Sequence, residues 1–173
     1  KKPAWAASAM DKWYGKTWRE RPHYGITLQA GETRGALALP GLLELAASPG
    51  APAIVRATAA TLAQPHANPA TLLATRALLH DADPSVRIAA LGLLAPQDVA
   101  DRISGATPLL ADPVRGVRIE AASALADVAD SQLPPGSRLA RQNALQEYEA
   151  MLARESDWPA TNRSEERRVG KEC

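Results

Sequence analysis

The sequence predicts an all-α fold, a right-handed α-solenoid built from helix pairs that recur every 31 residues. Three observations lead there. The 173 residues are 46% apolar yet contain no Phe and only 4% aromatic residues, so Ala and Leu must supply the core. Such side chains favour helices in close contact over sheet, where β-branched and aromatic residues would be expected. Next, residues 53–63, 85–95 and 116–126 read AIVRATAATLA, SVRIAALGLLA and GVRIEAASALA, which places Val-Arg pairs at Val55-Arg56, Val86-Arg87 and Val117-Arg118, 31 residues apart each time. Finally, a proline-bearing breaker precedes every copy: Ser48-Pro49-Gly50-Ala51-Pro52, Asp81-Ala82-Asp83-Pro84 and Ala111-Asp112-Pro113. Proline begins a helix readily but does not continue one, so each breaker separates two helices.

Within each copy the apolar residues follow helical spacing, as in Val86, Ala89, Ala90, Leu93 and Leu94, and so share one face. These segments are expected to be the inner, second helices of the pairs. The first helices are expected at 36–47, 69–79 and 99–110, with Pro40 and Pro108 blurring two of their ends. A single helix pair cannot cover its own apolar faces, and about three are needed to make a stable stack.

The repeats at 35–129 resemble short, Ala-rich bacterial HEAT repeats, in which Asp-Pro at the turn precedes a Val-Arg at the start of the second helix. Asp83-Pro84 and Asp112-Pro113 match that pattern, whereas the first repeat has Ala51-Pro52. The resemblance implies a structural use for Arg56, Arg87, Arg118, Asp83 and Asp112. The aspartates would cap helix N-termini, and the arginines would pair with acidic or carbonyl groups of adjacent turns as a ladder along the stack.

The flanks differ from the repeats. Residues 1–34 hold Trp5, Trp13 and Trp18, two of the three tyrosines and the string Arg21-Pro22-His23-Tyr24-Gly25. Trp5, Trp13 and Tyr14 fall at intervals that suit one helical face, where they would serve as packing residues. The part from Lys1-Lys2-Pro3-Ala4-Trp5 through Trp13-Tyr14-Gly15 to His23-Tyr24-Gly25 resembles bacterial multihaem c-type cytochromes fused to HEAT and tetratricopeptide repeats. There a Cys-x-x-Cys-His haem-attachment motif stands immediately ahead of the segment that begins here at Lys1. The resemblance implies a parent protein that carries haem c and is periplasmic or otherwise exported, with residues 1–34 as the tail of a haem domain; His23, which follows a proline, reads first as a surface or helix-capping residue and, as the alternative, as a distal haem ligand of that parent. The attachment motif is not in this sequence, so these residues alone hold no haem covalently.

Residues 130–162 begin with a hinge-like Ser131-Gln132-Leu133-Pro134-Pro135-Gly136-Ser137 and continue as a helix expected at 138–154, with Leu139, Leu145, Tyr148 and Leu152 along one face. The segment Leu145 to Ala150, followed by Ser156-Asp157-Trp158-Pro159-Ala160, resembles the approach to a tetratricopeptide repeat. A plain capping helix is the alternative. Residues 163–173, Arg-Ser-Glu-Glu-Arg-Arg-Val-Gly-Lys-Glu-Cys, break the Ala/Leu pattern and resemble a translated sequencing-library adapter residue for residue. They are expected to be disordered and foreign to the fold, so Cys173 says nothing about redox compartment. With neither an initiating Met nor a signal peptide, the chain reads as an internal piece of a longer protein.

Charge and motifs narrow the function classes. Lys and Arg number 20 against 19 Asp and Glu, so no basic field points to nucleic acid. No apolar run is long enough to span a bilayer. Phosphate loops, dinucleotide-binding glycine motifs, His-Glu-x-x-His and nucleophile elbows do not occur, and the acidic pairs Asp81/Asp83 and Glu147/Glu149 read as a turn and a solvated helix face. His66 lies in a loop between repeats, and His80 ends a helix where its partial charge suits the dipole. The expected function is a non-catalytic scaffold, without a cofactor of its own, for a protein partner or for missing domains of the same protein. Apolar faces at the truncated ends of such a stack would favour self-association and marginal stability. The alternatives are an electron-transfer fragment centred on residues 1–34 and a HEAT-like tetrapyrrole lyase, for which no residue here carries the chemistry.

Overall fold

The computed structural model describes residues 3–15 and 23–155. Trp18, Arg21, Pro22, the tetratricopeptide-like turn at 156–160 and the adapter-like residues 163–173 lie outside the described residues. Among the described residues the fold is all-helical, with no strand. The α-helices are α1 (Pro3–Tyr14), α2 (Gly25–Arg34), α3 (Leu39–Ala47), α4 (Ala53–Ala63), α5 (Leu72–Leu78), α6 (Pro84–Gly92), α7 (Val99–Ala106), α8 (Arg115–Ala124) and α9 (Pro135–Glu155).

Proline and the turn residues set the boundaries. α4 spans the expected 53–63 because extended Pro52 ends the preceding turn while its carbonyl accepts from the N–H groups of Val55 and Arg56. The first helices of the pairs are shorter than their apolar spacing implies. Residues 35–38 form a 3₁₀ turn before α3, and residues 69–71 form another before α5. Thr107–Ala111, which carries Pro108, is a 3₁₀ turn after α7. Proline has no N–H to give the α-helical ladder and its ring crowds the preceding turn, so these stretches tighten instead of continuing as α-helix. α6 ends at Gly92, with Leu93 and Leu94 buried in the turn beyond it.

Packing follows chain order. α3 lies against α4, α5 against α6, and α7 against α8. The second helices also contact one another in series: α4 on α6, α6 on α8 and α8 on α9. Their contact positions are small, with Ala59, Ala60, Ala90, Ala121 and Ala122 inaccessible to solvent, which lets helix axes approach closely. Leu91, Leu93, Leu94 and Leu125 are fully buried, and each such side chain contributes about 1.5–3 kcal/mol of transfer free energy. Gly105 marks the tightest part of α7. A Cβ there would lie 3.0 Å from the side chains of both Leu79 and Leu94, so the helix rests directly on that leucine pair.

Two expectations about the flanks are corrected. Trp5, Trp13 and Tyr14 of α1 are largely exposed and do not act as core residues among the described contacts. α9 begins three residues earlier than expected, at Pro135. Leu139, Leu145, Tyr148 and Leu152 are exposed, whereas Ser137 and Ala144 are buried and Ala140 is packed against the core. The small residues face inward because only they allow the approach to α8 that the alanines of α8 also require.

Candidate functional site

The most regular chemistry in the molecule is a series of arginine–carboxylate pairs along the second helices. In α4, Arg56 makes a two-pronged contact with Asp81, and its Nη2 donates to Oδ1 at 3.0 Å. In α6, Arg87 donates from Nε and Nη2 to the Asp112 carboxylate at 2.9 and 3.0 Å. Its Nη1 donates to the carbonyls of Asp81 and Ala82 at 2.8 and 3.0 Å. Arg118 of α8 repeats the arrangement, donating to Glu147 at 2.8 Å and to the carbonyls of Asp112 and Pro113 at 2.9 and 3.2 Å. Each of the latter two arginines therefore ties the turn ahead of its own helix to a carboxylate of the following unit.

Local backbone geometry prepares the carboxylates. Asp81 accepts from the Asp83 N–H at 2.9 Å, and Asp112 accepts from the Val114 N–H at 2.8 Å. Both side chains thus close the same two-residue turn while presenting their free lone pairs to arginine. Asp83 does something else: it caps α6 by accepting from the Ser85 N–H at 2.8 Å and takes no arginine among the described residues. The Asp-Pro resemblance pairs Asp83 with Asp112, but the geometry equates Asp112 with Asp81. The signal was available, since Asp81 stands one 31-residue interval before Asp112.

Electrostatics follow from these contacts. Hydrogen bonding to Arg56 lowers the Asp81 pKa below the usual carboxylate range, with the Asp83 N–H and the charges of Arg56 and Arg87 adding to it against desolvation. For Asp112 the largest influence is burial, which pushes upward. The hydrogen bonds from Arg87 and Val114 and the charges of Arg87 and Arg118 together outweigh it, so its pKa is also lowered. Perturbed carboxylates are often catalytic, but here each shift is accounted for by a structural partner.

Further side chains reinforce the same joints. Among the described residues, five side chains reach a group 25 residues ahead: Arg56 to Asp81, Gln64 to the Ala89 carbonyl, Arg76 to Asp101, Arg87 to Asp112 and Arg102 to Asp127. Gln97 is buried and donates to the Asn68 carbonyl at 2.9 Å and to Thr71 Oγ1 at 3.2 Å, which holds the turn ahead of α5. Arg141 of α9 donates to the carbonyls of Leu125 and Val128 and contacts Asp130. Gln64, Gln97, Arg102 and Arg141 carry no repeated motif, so inspection of the sequence had no means of selecting them.

His23 is exposed just ahead of α2, and its ring lies over Gly25, where an added Cβ would stand 2.8 Å from Cε1. It lines none of the grooves described here. Covalent haem attachment through Cys-x-x-Cys-His needs two thiols and the sequence has one Cys, so the residues present do not by themselves hold haem c covalently. Among the described residues, no group of three or more His, Cys, Asp or Glu side chains is placed to hold a metal ion. No described helix is long and apolar enough to cross a membrane.

Grooves lie between successive helices. One of about 380 Å³ runs between α5 and the α7 region, lined by Leu73, Arg76, His80, Ser104 and Pro108. Another, of about 250 Å³, lies between α8 and α9 and is lined by Ile119, Glu120, Ser123, Ala126, Leu145 and Tyr148. Glu120 is only partly accessible, and burial raises its pKa above the ordinary glutamate value. Comparison of the chain with family models, with curated proteins and with solved structures gave no match.

Proposed function

We propose that this chain is a right-handed α-solenoid of 31-residue, HEAT-like helix pairs, working as a non-catalytic scaffold that binds a protein partner or packs against further segments of its own protein. The observation that carries the reading is the arginine–carboxylate series. Arg56 and Arg87 stand one repeat apart, and each engages a carboxylate 25 residues further on. A repeated joint of that kind links every unit to its neighbour only, which is the defining energetic property of a solenoid. Serial contact of α4, α6, α8 and α9 supports the same arrangement. The scaffold reading also accounts for the lowered carboxylate pKa values without invoking a reaction.

Amide hydrogen exchange of the wild-type chain and an Arg118→Ala variant tests this proposal. Nearest-neighbour coupling predicts faster exchange in α8 and α9 with protection in α3 and α4 retained. Equal loss of protection across α3, α4, α8 and α9 would instead describe a single undivided core and would contradict the solenoid.

A further inference from the structure

We infer that the groove between α8 and α9 is a docking site for an arginine side chain of a partner protein, received by the Glu120 carboxylate between walls of Ile119, Ala126, Leu145 and Tyr148. This inference deepens the scaffold reading and rests on it. Three observations carry it.

First, Glu120 has no ion-pair or hydrogen-bond partner among the described residues, although it lies half-buried in the wall of a groove of about 250 Å³. The contrast is with the carboxylates that join successive helices. Asp81, Asp112, Asp127 and Glu147 each receive an arginine of this chain, and Glu120 receives none. Partial burial of a carboxylate without a partner opposes folding, and a cation placed in the groove removes that penalty.

Second, the site is peculiar to this position of the chain. One and two intervals of 31 residues upstream, the corresponding residues are Ala89, which is buried, and Thr58. A structural rule common to the repeats therefore does not call for an acid here.

Third, the walls match the chemistry of arginine. Leu145 and Tyr148 are left exposed by the way α9 packs through its small residues, so one face of the groove is apolar and accessible. An arginine buries its aliphatic stem against such a wall while its planar, weakly hydrated guanidinium forms a two-pronged bond to a carboxylate. The chain already uses that bond between Arg118 of α8 and Glu147 of α9, beside the same interface.

The test uses the full chain, with Nα-acetyl-arginine amide as the probe, followed by NMR of the Glu120 and Tyr148 side-chain signals. The expected result is a saturable shift of both signals. The citrulline analogue, which keeps the shape but not the charge, should produce none, and the lysine analogue should bind more weakly. Glu120→Gln should abolish the response, while Glu44→Gln, on α3, should leave it intact. A folded chain without a saturable shift overturns this inference and leaves the scaffold reading standing. Equal binding of citrulline, or a response that survives in Glu120→Gln, overturns it as well. An amide spectrum without native dispersion would overturn both readings together.

Discussion

Replacing Arg87 with alanine removes four hydrogen bonds at once, two to the Asp112 carboxylate and two to the carbonyls that open α6. Asp112 would then keep only the Val114 N–H, in a site where its side chain is 5% exposed and that of Arg87 is 11% exposed. Removing one partner of a buried ion pair costs about 3–5 kcal/mol, because the other charge stays behind desolvated. The residual exposure and the Val114 bond place this case at the lower end, about 3 kcal/mol. For a chain of this size each kcal/mol moves Tm by about 2–4 °C, so a fall of about 6–12 °C is expected in a circular-dichroism melt. Arg76→Ala is the internal control. It breaks the Arg76–Asp101 pair, whose side chains are 54% and 28% exposed, and should cost less than about 1 kcal/mol. A double-mutant cycle with Asp112→Asn should return a coupling of at least about 1 kcal/mol. If Arg87→Ala melts no lower than Arg76→Ala, the arginine series is ornament on a core that holds itself together, and the reasoning fails.

Two pH-linked outcomes follow from the same contacts. The folded-state pKa values of Asp81 and Asp112 are lowered from 3.8, so their stabilising contribution is complete above that value and is lost as pH falls through the folded-state pKa. Urea midpoints should therefore fall steeply below about pH 4, and Arg87→Ala should blunt that dependence. Glu120 has the opposite sign: its pKa is raised above 4.5 by burial, so the term that favours folding is present below 4.5 and is lost as pH rises through the folded-state value. Glu120→Gln should accordingly raise Tm at neutral pH and lose that advantage in acid, and a lower Tm for this variant at neutral pH would show that Glu120 has a stabilising partner.

Much of the helical layout was legible because its determinants are local. Pro52 and the Gln64-Pro65 pair bracket α4, and the Val-Arg recurrence marks α6 and α8. What escaped was set by contacts between units. Asp83 attracts attention through its Asp-Pro neighbour, yet Asp81 meets Arg56, because the geometry of the joint and not the dipeptide decides which carboxylate faces the guanidinium. Spacing places the large apolar residues of α9 along one face but does not say which face packs, and close approach to α8 admits Ser137 and Ala144 while Leu145, Tyr148 and Leu152 stay exposed. Gln97 and Arg102 gave no signal, since each meets a part-buried carbonyl, of Asn68 and of Ala124, that is in reach only once neighbouring turns have assembled. Glu120 carries no repeated motif either, and its groove exists only once α9 closes one side of it.

Duplicating one repeat tests the central claim most directly. Inserting a second copy of residues 87–117 after Val117 adds one 31-residue interval and preserves every Val-Arg junction. If the chain is a stack of equivalent units, the longer protein will show helical signal increased in proportion to its length, and one cooperative melt at a temperature no lower than the parent. A duplication of residues 87–113 only, which breaks the register, should fold poorly beside it. Equal disruption by both insertions, with lost helicity and a broadened melt, would contradict the account, because the 31-residue interval would then have no structural meaning.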